Sequence, residues 1–244
     1  MSWITKIEGP DPRLGVKIRH IVSGNDGDVC IATITEKLLR SSTAPYCIDI
    51  GVDQGWWSLF VLDSNPNSQV VAFEPNPISY AGLKTCIEKE TRVTLHNFAI
   101  SDKEGTIPFA IEGGNSNSRD ASSTLSVACI KIDKYVDRPV TLMKIDTEGH
   151  EIRILKTLRP HFKNIESIIF EFTVYWYDSV DEAKDELKNL LAEYPVMCTL
   201  NRRGPPSLER IGLENIDELI AFCIEKQFQC DILCSRSPIF VTSP

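Results

Sequence analysis

Apolar runs of two lengths alternate along the chain. The short ones, "CIDI", "QVVAF", "LMKID" and "SIIFEF", are apolar without strict alternation. Strands covered on both faces read this way. The longer ones place apolar residues at helical spacing. The pattern predicts strands at 45–50, 69–73, 92–100, 139–146 and 167–172, closing with "PVMCTL" (195–200) and "CDILCS" (230–235). Helices are expected at 29–40, where Asp28 can cap, at 56–64, at 76–90 and at 148–162. In the third, Asn76 can cap and Pro77 fits the first position, where its missing N–H costs nothing. The fourth puts Ile152, Leu155 and Leu158 on one side and stops near Pro160. Ser179 with Glu182 forms a capping box before a helix whose apolar face is Val180, Ala183, Leu187, Leu190 and Leu191. Asn215 with Glu218 repeats the device before Ile216, Leu219, Ile220, Cys223 and Ile224.

Strands alternating with helices give an α/β class and a mostly parallel, doubly wound sheet. Residues 1–244 are expected to form one domain, with 1–27 an irregular lead-in. Three stretches break the rhythm. "SDKEGTIPFAIEGG" reads as an excursion strand, "NSNSRDASSTLS" (115–126) as either an active-site or a surface loop, and "NRRGPP" (201–206) as a basic turn. In such a sheet the ligand crevice lies at the carboxyl ends of the strands.

Composition narrows the field only a little. The chain of 244 residues is 42% hydrophobic and 25% charged, as in ordinary globular proteins. A formal charge of −8 argues against a protein that coats nucleic acid. No leader core stands near the start, and no run approaches a membrane span, so a cytoplasmic protein is expected. The eight cysteines include no Cys-x-x-Cys pair, and with four histidines a zinc site is not expected. Cys30, Cys47, Cys86, Cys129 and Cys198 lie in apolar segments and are expected to be buried thiols of a reducing compartment.

Candidate chemistry gathers at four strand ends, which carry Asp49, Glu74, Asp146 and Glu171. A carboxylate at the edge of an apolar strand is costly unless paired or solvated. Gly51 and Gly55 allow a sharp turn and a close approach to a ligand. Glu74 follows Gly51 by 23 residues, the place from which an acid accepts hydrogen bonds from ribose hydroxyls. The stretch "DIGVDQG" lacks the Gly-x-Gly-x-x-Gly of a pyrophosphate turn, and Asp49 and Asp53 would repel a pyrophosphate. They suit a cofactor bearing an amine and a sulfonium, so S-adenosylmethionine fits better than NAD. Lys144, two residues before Asp146, shares its side and can pair with it. His150 can reach the crevice, and Glu148 reads either as a base or as a first-turn helix acid.

The stretches "CIDIGVDQGWWSLF", "VVAFEPNP", "HNFAIS", "LMKIDTEGHEIRIL" and "IIFEF" resemble the FkbM family of S-adenosylmethionine-dependent methyltransferases, best over 45–172. Two departures stand out in the first motif, usually Asp-x-Gly-Ala-Asn-x-Gly: Val52 and Asp53 replace Ala and Asn. "KIDTEGHE" is close to the family's Lys-Ile-Asp-Val-Glu-Gly-Ala-Glu. The resemblance implies a seven-stranded class I methyltransferase (Rossmann-like) sheet whose last strand is antiparallel. It also implies that Asp49, Gly51, Asp53, Gly55, Glu74, Pro75, Asn97 and Ala99 bind the cofactor, with Glu74 on the ribose and Asn97 and Ala99 near the adenine. Asp146 would face the methyl group, and the acceptor would be a small molecule or sugar hydroxyl.

An O-methylation needs the hydroxyl aligned and its proton taken. Asp146, Glu148 and Glu171 are the candidate catalytic acids. Asp146 with Glu171 is also the candidate pair for a divalent cation such as Mg²⁺. Tyr175 and Trp176 are candidates for an aromatic acceptor wall. The rival readings are a nucleic-acid 2′-O-methyltransferase and a methyltransferase-fold binding protein without activity, with a dehydrogenase further behind.

Overall fold

The structure, a computed structural model, describes residues 26–87, 89–112, 115–117, 125–200 and 208–237. Its main sheet has eight strands. Five are parallel: β1 (Tyr46–Ile50), β2 (Gln69–Phe73), β3 (Val93–His96), β8 (Leu142–Ile145) and β9 (Ser167–Phe172). At one side β12 (Cys230–Ser235) runs antiparallel between β9 and β10 (Val196–Leu200), and β11 (Leu208–Arg210) pairs with β10 at the edge. The order is β11-β10-β12-β9-β8-β1-β2-β3. The expected seven strands fall one short because Leu208–Arg210 adds an edge strand that its short, charged sequence did not announce.

Strand side chains alternate between two faces, and the core divides accordingly. Ile48 and Ile50 join one apolar cluster, with α4 (Glu151–Leu158), α5 (Val180–Glu193) and α6 (Ile216–Lys226). Cys47, Val70 and Ala72 join the other, with α1 (Asp26–Arg40), α2 (Trp56–Ser64) and α3 (Pro77–Cys86). Both faces being covered is why the central strands are apolar throughout. Among the described residues no helix is long and apolar enough to cross a membrane.

Local chemistry follows expectation at several ends. The Asn76 side chain accepts from Ile78 N with Pro77 in the first turn, and the Ser179 side chain accepts from Glu182 N. Four details differ. The predicted strand 92–100 is two: β3 ends at His96, Asn97 and Phe98 leave the sheet, and β4 (Ala99–Ile100) joins a second sheet with β5 (Gly105–Glu112), β6 (Asn115–Asn117) and β7 (Leu125–Ile130). Helix α4 starts at Glu151 rather than Glu148, because Glu148 (φ 56°) and Gly149 (φ 105°) are left-handed. Asn215 ends a 3₁₀ turn and accepts from Gly212 N instead of capping α6. Cys86 is exposed, since α3 buries only Leu83. Most of the lead-in (through residue 25), residues 118–124 of the Ser/Asn-rich stretch and the whole of "NRRGPP" lie outside the described residues.

Candidate active site

A cavity of about 220 Å³ lies at the carboxyl ends of β1, β2 and β8. Its first corner is built on glycine. Gly51 N and Val52 N both donate to Phe73 O (3.0 and 3.2 Å), while Asp146 N donates to Ile50 O (2.9 Å). Gly51 has φ 84°, and a Cβ there would sit 1.7 Å from Asp146 O. Gly55 (φ 82°) lies against α3, where a Cβ would meet Leu83 Cδ1 at 2.5 Å. Asp53 is also left-handed (φ 47°), a region in which Asn and Asp are enriched. The backbone therefore explains why an Asn-type residue belongs here, and the departure at 53 changes charge while keeping that conformational tolerance.

Glu74 ties this corner to the next strand. Its Oε2 accepts from Asp53 N (2.6 Å) and its Oε1 from Asn76 N (2.7 Å). Burial pushes its carboxyl up to about 7 in spite of those two bonds. Asn97 Nδ2 donates to Glu74 O (2.8 Å) and Pro75 O (3.2 Å), so this side chain braces the backbone behind the cavity. Asp49 lies deeper. Ser58 Oγ donates to its Oδ2 (2.6 Å), but its buried Oδ1 has no hydrogen-bond partner. Burial lifts this carboxyl to about 6, against the pull of Lys144 and Ser58.

Lys144 is itself buried, with Nζ 2.7 Å from Asp146 Oδ2. Burial works against its charge, but Asp146, Asp49 and Asp231 outweigh it and hold the ammonium above its usual range. Beyond Asp146 the chain turns through Thr147, Glu148 and Gly149. Glu151, fully buried, holds that turn: its Oε1 accepts from Thr147 N (2.7 Å) and Thr147 Oγ1 (2.8 Å), and its Oε2 from Gly149 N (3.1 Å). Carboxylate oxygens of Asp146, Glu148 and Glu171 come within 4.8 Å of one another, close enough to share one cation. His150 also lines the cavity, and burial pulls its imidazole down to about 4. Trp57 is buried with Nε1 donating to Thr35 Oγ1 (2.9 Å), while Trp56 stands at the cavity wall.

The lining is mixed. Among the described residues it carries five carboxylates, of Asp49, Asp53, Glu74, Asp146 and Glu148, and one ammonium, of Lys144. Apolar wall comes from Phe98, Ala99 and Ile100 at the exit of β3 and from Ile107 and Phe109 on β5. Of the residues expected at the site, Asp49, Gly51, Asp53, Glu74, Pro75, Ala99, Asp146 and Glu148 line it. Gly55 and Asn97 stand behind its wall, and Glu171 reaches it only through the carboxylate cluster. Tyr175 and Trp176 pack edge-to-face on each other in a 3₁₀ turn after β9 and are not among the lining residues. The β5 wall went unseen in the sequence because "IPFAI" alternates like any half-buried strand. The Glu151 staple was signalled only as the last letter of "KIDTEGHE".

Several solved structures are similar to this chain in fold. The O-methyltransferase from Bacillus cereus, solved in complex with SAH, is 10% identical, with 96% of each chain covered and a TM-score of 0.50. A SAM-dependent O-methyltransferase from Thermotoga maritima is 13% identical over 91% of this chain and 72% of its own, with a TM-score of 0.48. The fibrillarin pre-rRNA processing protein of Methanococcus jannaschii is 13% identical over 80% of this chain and 68% of its own, at 0.42. At such identities the likeness speaks to fold alone. No curated protein matches the chain in sequence. The protein has an α/β Rossmann-like methyltransferase fold built on a mixed sheet, and is an enzyme of that class. The methyltransferase FkbM domain pattern matches residues 49–195, and the chain belongs to that family.

Proposed function

We propose that the protein is an S-adenosylmethionine-dependent O-methyltransferase acting on a hydroxyl of a small-molecule or sugar acceptor. The observation that carries this is the buried Oδ1 of Asp49, which has no hydrogen-bond partner in a cavity lined by carboxylates and apolar side chains. A buried carboxylate oxygen without a donor is unfavourable, and a cationic ammonium is the partner that corrects it. Asp49 would take the amino group of the cofactor, Glu74 the ribose hydroxyls, and the wall of Phe98, Ala99, Ile107 and Phe109 the purine. Gly51 and Asp53 shape the turn that lets the ligand approach, with Gly55, Pro75 and Asn97 supporting it. When bound, the cofactor supplies an electrophilic methyl group on a positively charged sulfur.

The acceptor hydroxyl is held by the carboxylates that follow β8. Asp146, with Oδ2 fixed by Lys144, and Glu148 accept its hydrogen bond and aim the oxygen. Five carboxylates against one ammonium among the described lining residues disfavour a polyphosphate backbone in this cavity, so a neutral small acceptor is preferred to nucleic acid. A second reading concerns a metal. The oxygens of Asp146, Glu148 and Glu171 suit a divalent cation such as Mg²⁺, which would lower the hydroxyl pKa. Tyr175 and Trp176 would then act as an outer acceptor wall.

The test is transfer of labelled methyl from S-adenosylmethionine to free sugars, small natural-product alcohols and an RNA oligomer in parallel. Labelled small acceptors support the proposal, and transfer to RNA alone replaces it with the nucleic-acid reading. Cofactor binding without transfer to any acceptor supports the inactive-binder alternative. Turnover abolished by EDTA and restored by Mg²⁺ supports the metal.

A further inference from the structure

Asp53 carries a charge that shaping its turn does not require. It is exposed, lines the cavity and stands beside the proposed ribose anchor. Its N–H donates to Glu74 Oε2 (2.6 Å), and its Oδ1 accepts from Ser79 Oγ (3.4 Å), itself a lining residue. Neighbouring acids are engaged in other ways. Glu74 accepts from two backbone amides, Asp49 is buried with Ser58 on its Oδ2, and Asp146 has the Lys144 ammonium at 2.7 Å. Asp53 also stands where the family motif carries Asn. Either residue tolerates the left-handed backbone found here (φ 47°), so the difference between them is one of charge.

We propose that Asp53 is a specificity-determining residue, its carboxylate favouring the sulfonium form of the cofactor over the thioether that remains after methyl transfer. The proposal rests on the S-adenosylmethionine reading. S-adenosylmethionine and S-adenosylhomocysteine share adenine, ribose, ammonium and carboxylate, and differ in one methyl group and in the positive charge on sulfur. Asp49 and Glu74 are assigned to groups that both ligands possess, so their hydrogen bonds do not tell the two apart. The sulfur is bonded to C5′ of the ribose assigned to Glu74, and a ligand held there brings its distinguishing charge to the corner that Glu74 and Asp53 share. A charge acts on another without a directed bond, and an exposed carboxylate gives up little hydration to do so. The spent cofactor is then the weaker ligand and gives way to fresh S-adenosylmethionine at equal concentration.

Calorimetric titration of each ligand into the wild-type protein and into Asp53→Asn tests this without any acceptor. Asn keeps the turn, the N–H to Glu74 and an oxygen for Ser79. The readout is the ratio of the two dissociation constants, in which the contribution of the methyl group itself is common to both proteins. Work at about pH 8 keeps Glu74, raised to about 7 by burial and further by the Asp53 charge, mostly ionised in both. Asp53→Asn should narrow the preference for S-adenosylmethionine about threefold, as for loss of a solvated charge pair, and leave S-adenosylhomocysteine nearly unchanged. Raising salt from about 20 to about 500 mM should narrow the preference of the wild-type protein more than that of the variant, which a merely structural role would not produce. Equal ratios in the two proteins, with or without a shared loss of affinity, overturn the inference and leave the cofactor reading standing. Failure of the wild-type protein to bind either ligand overturns the reading beneath it.

Discussion

Replacing Glu74 by Gln separates the electrostatics of the site from its packing. Glu74 is 4% exposed, and burial lifts its carboxyl from 4.5 to about 7. A carboxyl raised in the folded state binds more protons folded than unfolded between those two values. Stability contributed by this group is thus full below pH 4.5 and is lost as pH rises through 7. The shift corresponds to about 3 kcal/mol between the protonated and ionised limits. Gln keeps the shape and removes the titration, at the cost of turning one N–H toward a backbone donor, Asp53 N or Asn76 N. Urea unfolding of both proteins without cofactor, from pH 4.5 to 8, should therefore give curves that differ in slope. The wild type should lose about 3 kcal/mol relative to Glu74→Gln across the window. Other groups, including Asp49 and His150, titrate in both proteins and cancel in the difference. Parallel curves would refute the claim that Glu74 is a buried, strained carboxylate awaiting hydroxyl donors.

Two further substitutions probe the frame. Gly51→Ala places a methyl 1.7 Å from the Asp146 carbonyl at a positive φ, which forces β1 and β8 apart. A loss of at least about 3 kcal/mol in chemical unfolding is expected, from left-handed strain plus overpacking; a loss under about 1 kcal/mol would mean that the turn is not set by this contact. Lys144→Met strips the ammonium that Asp49, Asp146 and Asp231 surround. It should cost about 3–5 kcal/mol near neutral pH, as breaking a buried pair does, and less at pH 4, where Asp49, its carboxyl raised by burial to about 6, is protonated. A cost independent of pH would show that Lys144 acts by packing alone.

Much of this was legible in the chain because the signals are local. Strand cores at "CIDI" and "QVVAF" reveal two-sided burial by their unbroken apolar letters, and Asn76-Pro77 announces a helix start by chemistry that needs no partner. The acids at the strand ends were visible for the same reason: a charge closing an apolar run is out of place until a site explains it. What stayed hidden depends on contacts far apart in sequence. Nothing near Ile107 and Phe109 says that their strand swings over the cavity, and nothing near Ser101 says that it meets His150, 49 residues on. The start of α4 was misplaced because Glu148 favours helices by type, whereas Glu151 recruits the Thr147 and Gly149 amides and holds the turn open. Asn97 was assigned to the ligand by position, yet its amide is taken up by the Glu74 and Pro75 carbonyls.

The central claim is that the carboxylates and apolar side chains lining one cavity hold a cationic nucleoside. Calorimetric titration of S-adenosylmethionine into the wild-type protein and into Asp49→Asn tests it most directly. The account predicts one site on the wild-type protein, and binding weaker by about tenfold or more in the variant, as for loss of a charged hydrogen bond worth about 1.5–3 kcal/mol. Absence of binding to the wild-type protein, or equal affinity in the two, would contradict it.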